Sequence, residues 1–240
     1  MGASLRTGAA ANTAGSIGDM GFRHVRRLTV VGALVASALA IGATPTASAE
    51  PCPDAEVVFA RGSDEPPGVG TVGQAFIDSL RGMLPGKSVG VYAVNYPATG
   101  DFNNKAVFPG TMFDGVHDTT SHLQSMAANC PSTKLLLGGY SQGAAVAAYA
   151  TTADIPAAVH DHVAGIVLFG KPTPALLSGF GAPAANISPL YDGKSLDLCA
   201  PGDSICDGSP GSLFSSLAHA LYPLNGLVTT AASKAAGRLV

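Results

Sequence analysis

The chain has 240 residues, enough for one sizeable domain. Its 47% hydrophobic content and 12% charged content exclude intrinsic disorder as its class. With 13 basic against 16 acidic residues it lacks the basic excess of a nucleic-acid binder, so no nucleic acid is expected as a partner.

Residues 1–49 read as a signal peptide. Arg23, Arg26 and Arg27 form a basic cluster, residues 28–41 an apolar run, and Ala47-Ser48-Ala49 a small-residue cleavage site. The apolar run is too short for a membrane span, which takes about 20 residues, so no stable membrane anchor is expected. The paired arginines are compatible with both the general and the twin-arginine export routes. Residues 1–19 are unusual ahead of such a signal, and Met20 makes a more ordinary start than Met1. Without residues 1–49 the chain keeps 9 basic and 15 acidic residues, a net of −6.

Residues 50–240 are expected to form one domain. Residues 55–59 read as a strand entering the loop Arg61-Gly62-Ser63. Residues 72–84 show helical spacing of apolar side chains. A second strand, 89–94, closes at Asn95-Tyr96-Pro97, and 98–110 reads as a polar surface loop. Residues 112–129 predict a helix ending before Cys130-Pro131. A third strand, 134–137, runs into Gly138-Gly139, followed by an alanine-rich helix over 142–153. Residues 163–169 form a fourth, almost wholly apolar strand, 195–198 a weaker fifth, and a last helix surrounds Lys234. Strands alternating with helices, several of them apolar on both sides, predict an α/β fold with a mostly parallel five-stranded sheet covered on both faces. Its functional site is expected at the carboxyl ends of the strands.

Gly139-Tyr140-Ser141-Gln142-Gly143 fits G-x-S-x-G between a strand and a helix, the context that marks a nucleophilic serine. The glycines spare a tight turn from steric collision, and the alanines after it let the helix approach the sheet. A serine needs a base, and the base an orienting carboxylate, here in the order Ser, acid, His. His24 leaves with the signal. His117 and His122 precede the serine, and His160 and His162 precede the fourth strand at the far end of the sheet. That leaves His219 as the base. Among Asp192, Asp197, Asp203 and Asp207, Asp203 lies just past the fifth strand inside the segment Cys199 to Cys206, and Asp207 is the fallback. Leu213, Phe214, Leu217 and Leu221 are candidates for an acyl groove, but their helical spacing favours core for most of them.

Four cysteines, Cys52, Cys130, Cys199 and Cys206, are an even set for an oxidising compartment. Three pairings are open; Cys199 with Cys206 is the most local, which would leave Cys52 with Cys130. A metal site is disfavoured, because neither CxxC spacing nor clustered histidines accompany them.

Taken together, Gly-Tyr-Ser-Gln-Gly at 139–143, Pro-Gly-Asp at 201–203 between two cysteines, and Ala60-Arg61-Gly62-Ser63 with Glu65 make the chain resemble the cutinase family, most of all its actinobacterial, mycobacterial-type members. The resemblance covers the chain from Cys52 onward. It implies an α/β-hydrolase without a large lid, disulfides Cys52–Cys130 and Cys199–Cys206, and an oxyanion hole from Ser63 and Gln142. The expected protein is a secreted serine esterase needing no metal or cofactor, acting on an ester or lipid substrate such as cutin-like polyesters or short- to medium-chain acyl esters; a monomer, free or cell-wall associated, is the working expectation. A lipase, phospholipase or acyltransferase acting on envelope lipids is the alternative. A non-catalytic surface protein on this scaffold would carry a broken triad, and this sequence does not.

Overall fold

The computed structural model describes residues 51–210 and 217–240. The expected signal peptide, Leu213 and Phe214 lie outside the described residues. Five strands make the sheet: β1 (Ala55–Ala60), β2 (Val89–Ala93), β3 (Lys134–Tyr140), β4 (Val163–Phe169) and β5 (Ser195–Leu198). All pairs are parallel and the order is β2-β1-β3-β4-β5. The chain therefore steps one way from β1 and the other way into β3. That reversal opens a crevice at the carboxyl ends of β1 and β3, where Ala60 is paired with Gly139.

Alternating side chains of the central strands feed two cores. Val58 and Ala60 of β1, with Leu135 and Leu137 of β3, face α2 (Val107–Asn129) and α3 (Gln142–Thr151). Val57, Phe59 and Leu136 face the other way, toward α1 (Gly70–Met83) and α8 (Leu227–Ala236). In that second layer Phe59, Phe76 and Phe169 pack with centroids 5.8 to 6.5 Å apart. Burying one such ring stabilises by about 1.5–3 kcal/mol. Both faces are covered, which is why the central strands are apolar on both sides. Shorter helices complete the chain: α4 (Ala157–His162), α5 (Pro174–Gly179), α6 (Ser204–Asp207) and α7 (Leu217–Ala220). Among the described residues no helix is long and apolar enough to cross a membrane.

Three expectations need correction. The helix expected at 112–129 starts at Val107, inside the supposed loop. Asn104 caps it, its Oδ1 accepting from the N–H groups of Ala106 and Val107, and Pro109 fits the first turn, where an N–H has no helical partner. The third strand continues through Gly138-Gly139 to Tyr140, because β1 and β4 pair with it on both sides. Leu217 and Leu221 are not core: they are 76% and 42% exposed. None of the described residues of α7 is buried.

Candidate active site

Ser141 sits between β3 and α3 with φ 55° and ψ −119°. Such a conformation costs a non-glycine residue about 1–3 kcal/mol and persists only where its surroundings enforce it. Here Ser141 N–H donates to Phe169 O at the end of β4 (2.9 Å), and Ser141 O accepts from Ala144 N–H (2.9 Å). The turn also requires two bare positions. A Cβ on Gly139 would stand 2.1 Å from Gly143 O, and one on Gly143 would stand 2.1 Å from Ala60 O. Ala144, Ala145, Ala147 and Ala148 are completely buried, so α3 lies close against the sheet.

Asp203 and His219 arrive from beyond β5. Asp203 is fully buried at the start of α6, and its Oδ1 accepts from Ile205 N–H (3.1 Å). His219 Nδ1 lies 2.8 Å from Asp203 Oδ2 and 2.9 Å from Oδ1; its Nε2 lies 2.9 Å from Ser141 Oγ. An ionised carboxylate only accepts, so Nδ1 carries the imidazole proton and Nε2 presents its lone pair to the serine hydroxyl. The Cys199–Cys206 disulfide closes the loop that carries Asp203. The Cys52–Cys130 disulfide joins the segment ahead of β1 to the end of α2.

Ser63 follows β1, and Gln142 opens α3. Both line a cavity of about 240 Å³ that also contains Ser141 and His219. The N–H of Gln142, at the first helical position, has no carbonyl partner within its helix. Asp64 and Tyr140 line the cavity as well, and the rest of its wall is apolar: Phe102, Phe108 and Phe180 meet at centroid distances of 5.0 to 5.2 Å, with Leu176 and Ile205 alongside. A cavity of about 150 Å³ accommodates benzene, so this one has room for a short to medium acyl chain. No large lid covers it among the described residues.

The cutinase family profile matches residues 51–238. The chain belongs to the cutinase family. It is 44% identical over 216 residues to "Carboxylesterase Culp1" of Mycobacterium tuberculosis, covering 88% of this chain and 94% of that one. With "Phospholipase Culp4" of the same organism it shares 46% identity over 198 residues, 77% and 82% of the two chains. Among solved structures it is similar to the Trichoderma reesei cutinase in complex with a phosphonate inhibitor: TM-score 0.62, 35% identity, 79% of this chain and 78% of that one.

In this cutinase-family chain the fold brings Ser141, His219 and Asp203 into one hydrogen-bonded line and sets Ser63 and Gln142 on the same cavity. The fallback Asp207 is exposed and turned to its own loop, where its carboxylate accepts from Ser209 N–H (2.7 Å); hydrogen bonding to the Ser209 side chain first, and to its backbone second, holds it below the usual aspartate pKa. Asp197 is paired with Lys171. His122 is bonded to Glu56 and stacked on Tyr92, and His160 is bonded to Tyr191.

Sequence reasoning missed two tyrosines. Tyr222, fully buried, donates its hydroxyl to Asp203 Oδ2 (2.8 Å) and accepts from Ala200 N–H (3.0 Å). Tyr140 stacks on the His219 ring at 4.9 Å and donates to His219 O (2.7 Å). Burial pushes both phenols up, so they stay protonated donors at any working pH. The signal was a tyrosine three residues after the histidine and another directly before the serine. Neither position announces a role until the loop is folded. The aromatic wall was missed as well, since Phe102, Phe108 and Phe180 come from two distant segments.

Proposed function

We propose that residues 50–240 act outside the cytoplasm as a serine esterase that hydrolyses carboxylic esters through an acyl-enzyme. Ser141 is the nucleophile and His219 its general base. Asp203 orients the imidazole and stabilises its protonated form, and the N–H groups of Ser63 and Gln142 receive the oxyanion. The observation that carries this reading is the unbroken line Asp203–His219–Ser141, with contacts of 2.8 and 2.9 Å, opening on an apolar cavity. In the first half, Ser141 Oγ bonds to the acyl carbon while its proton passes to His219 Nε2. The tetrahedral adduct collapses, His219 returns the proton to the departing alkoxide, and the alcohol leaves. In the second half water repeats the attack with His219 again as base, and the acid is released. Relatives named as carboxylesterases and a cutinase support the reaction class.

Two disulfides support export, because such bonds persist in oxidising compartments. The cleaved 1–49 signal, retention at the cell wall and a monomeric state belong to the same proposal. A second reading, a lipase or phospholipase acting on envelope lipids, is favoured by one feature: Leu217, Leu221 and Leu224, beside His219 in sequence, are 76%, 42% and 82% exposed. A relative named as a phospholipase is in keeping with it.

A fluorophosphonate probe should label the purified protein once, and Ser141→Ala should abolish labelling; an unlabelled wild type would sink the esterase reading. Nitrophenyl esters of increasing chain length, set against phospholipid vesicles and triglyceride emulsions, separate the two substrate classes. Turnover confined to the soluble esters favours the first reading.

A further inference from the structure

The two proposed oxyanion donors follow different strands, Ser63 in the turn after β1 and Gln142 at the start of α3, and a third segment, residues 96–100 after β2, touches both. On one side it holds Asp64, the neighbour of Ser63. Asp64 N–H donates to Ala98 O (2.7 Å), and Asp64 Oδ1 accepts from Gly100 N–H (2.8 Å), so two bonds bracket the residue. Asp64 has φ 57°, a left-handed conformation that aspartate and asparagine tolerate better than most residues. On the other side, Gln142 Nε2 donates to Thr99 O (3.0 Å). Three consecutive residues, Ala98, Thr99 and Gly100, thus bond alternately to the Ser63 loop and to Gln142. The segment is itself anchored at its start. Arg61 Nη2 donates to Tyr96 O (2.8 Å), and Tyr96 Oη–H donates to Arg61 O (2.5 Å).

We infer that Asp64 is a positioning residue, and that with residues 98–100 it sets the spacing between the N–H groups of Ser63 and Gln142. This rests on reading those two as the oxyanion donors. Such donors stabilise a transition state only if they are aimed before charge develops. A misplacement of about 1 Å can cost on the order of 100-fold in rate. Ser63 is half-buried in a turn, and its own side chain has no part in the bracket. The position of its N–H is set by the peptide it shares with Gly62 and by Asp64 beyond it. Gly62 N–H is fixed in turn by Glu65 Oε2 (2.7 Å). The bracket also requires an unsubstituted residue 100: a Cβ there would stand 2.1 Å from Asp64 Oδ2. Gly100→Ala therefore evicts the carboxylate without changing Asp64.

The test uses the protein produced from its full sequence. Wild type, Asp64→Ala, Asp64→Asn, Gly100→Ala and Ser141→Ala are compared on nitrophenyl butyrate. The readouts are kcat, KM, melting temperature and inhibition by a trifluoromethyl ketone, whose tetrahedral adduct occupies the oxyanion hole. Asp64→Ala and Gly100→Ala are expected to lose about 10- to 100-fold in kcat. KM should stay within about twofold, and ketone affinity should fall in parallel with kcat. Asp64→Asn keeps an acceptor oxygen and the left-handed backbone, and should recover to within about threefold of wild type. The inference is overturned if Asp64→Ala keeps the wild-type kcat. It is equally overturned if KM alone changes, which would make Asp64 a substrate contact, or if Asp64→Asn is as slow as Asp64→Ala. Should Asp64→Ala not fold, Gly100→Ala decides by the same criteria. An inactive wild type, or an active Ser141→Ala, would instead overturn the esterase reading itself.

Discussion

The proposed nucleophile and its two proposed partners are held by different physics. Ser141 is gripped by the core: a central strand delivers it, a fully buried helix takes the chain away, and two bare glycines let the backbones close to contact. Asp203 and His219 come from beyond the short strand β5, where the described residues form only short helical turns around them. A disulfide, an N-terminal cap bond and the Tyr222 hydroxyl do there what packing does at the serine. A position set by the core cannot be disturbed without disturbing the fold. A position set by a few directed bonds can lose activity while the domain stays folded.

The largest expected effects use that contrast at the triad itself. Ser141→Ala should lower kcat by at least about 10⁴-fold. It should leave melting unchanged or raise it, since alanine removes a hydroxyl but not the turn. Asp203→Asn should cost about 10³- to 10⁴-fold, because an amide facing Nδ1 favours the wrong imidazole tautomer. Circular dichroism should be unchanged. A turnover within tenfold of wild type would place the acid elsewhere.

The two disulfides make the next comparison. Cys52–Cys130 spans 78 residues and Cys199–Cys206 only 7. In the loop-entropy account the long link stabilises by about 4–5 kcal/mol and the short one by about 2–3 kcal/mol. Function should rank them the other way. Cys52→Ser with Cys130→Ser should lower the denaturation midpoint more, yet leave kcat within about twofold below the transition. Cys199→Ser with Cys206→Ser should lower kcat about tenfold or more through a loosened Asp203, an effect of the misplacement kind. Equal kinetic losses from the two pairs would mean that the short disulfide has no particular hold on the acid.

The same division explains what the sequence disclosed. The strands 163–169 and 195–198 were legible to the residue, because β4 is an unbroken apolar run and β5 is framed by polar turns. Ser141 was legible because its turn imposes glycines two residues to either side. His219 emerged by elimination and Asp203 from its place between cysteines, both from chain order rather than local pattern. The start of α2 was hidden, since Asn104 and Pro109 look like loop residues until one caps and the other enters the first turn. The exposure of Leu217 and Leu221 was hidden too, because helical spacing does not reveal which face of a helix is covered. The Asp64 bracket and the Tyr222 bond left no trace, being contacts between segments far apart in sequence.

The smallest expected effect tests whether the directed bonds at Asp203 tune the base as well as holding it. Tyr222→Phe removes one donor from the carboxylate and leaves a ring that still packs against Phe169. Burial keeps the wild-type phenol protonated, so its hydroxyl faces Asp203 across the working pH range. While it does so, it withdraws negative charge that would otherwise act on His219. In the variant that charge falls on the imidazole and favours its protonated form. The acidic limb of kcat/KM against pH should therefore move upward. The variant should be slower than wild type on the acid side and converge with it above the limb, with KM little changed. A purely structural tyrosine would give the opposite pattern, a lower melting temperature with a pH profile scaled down but not displaced.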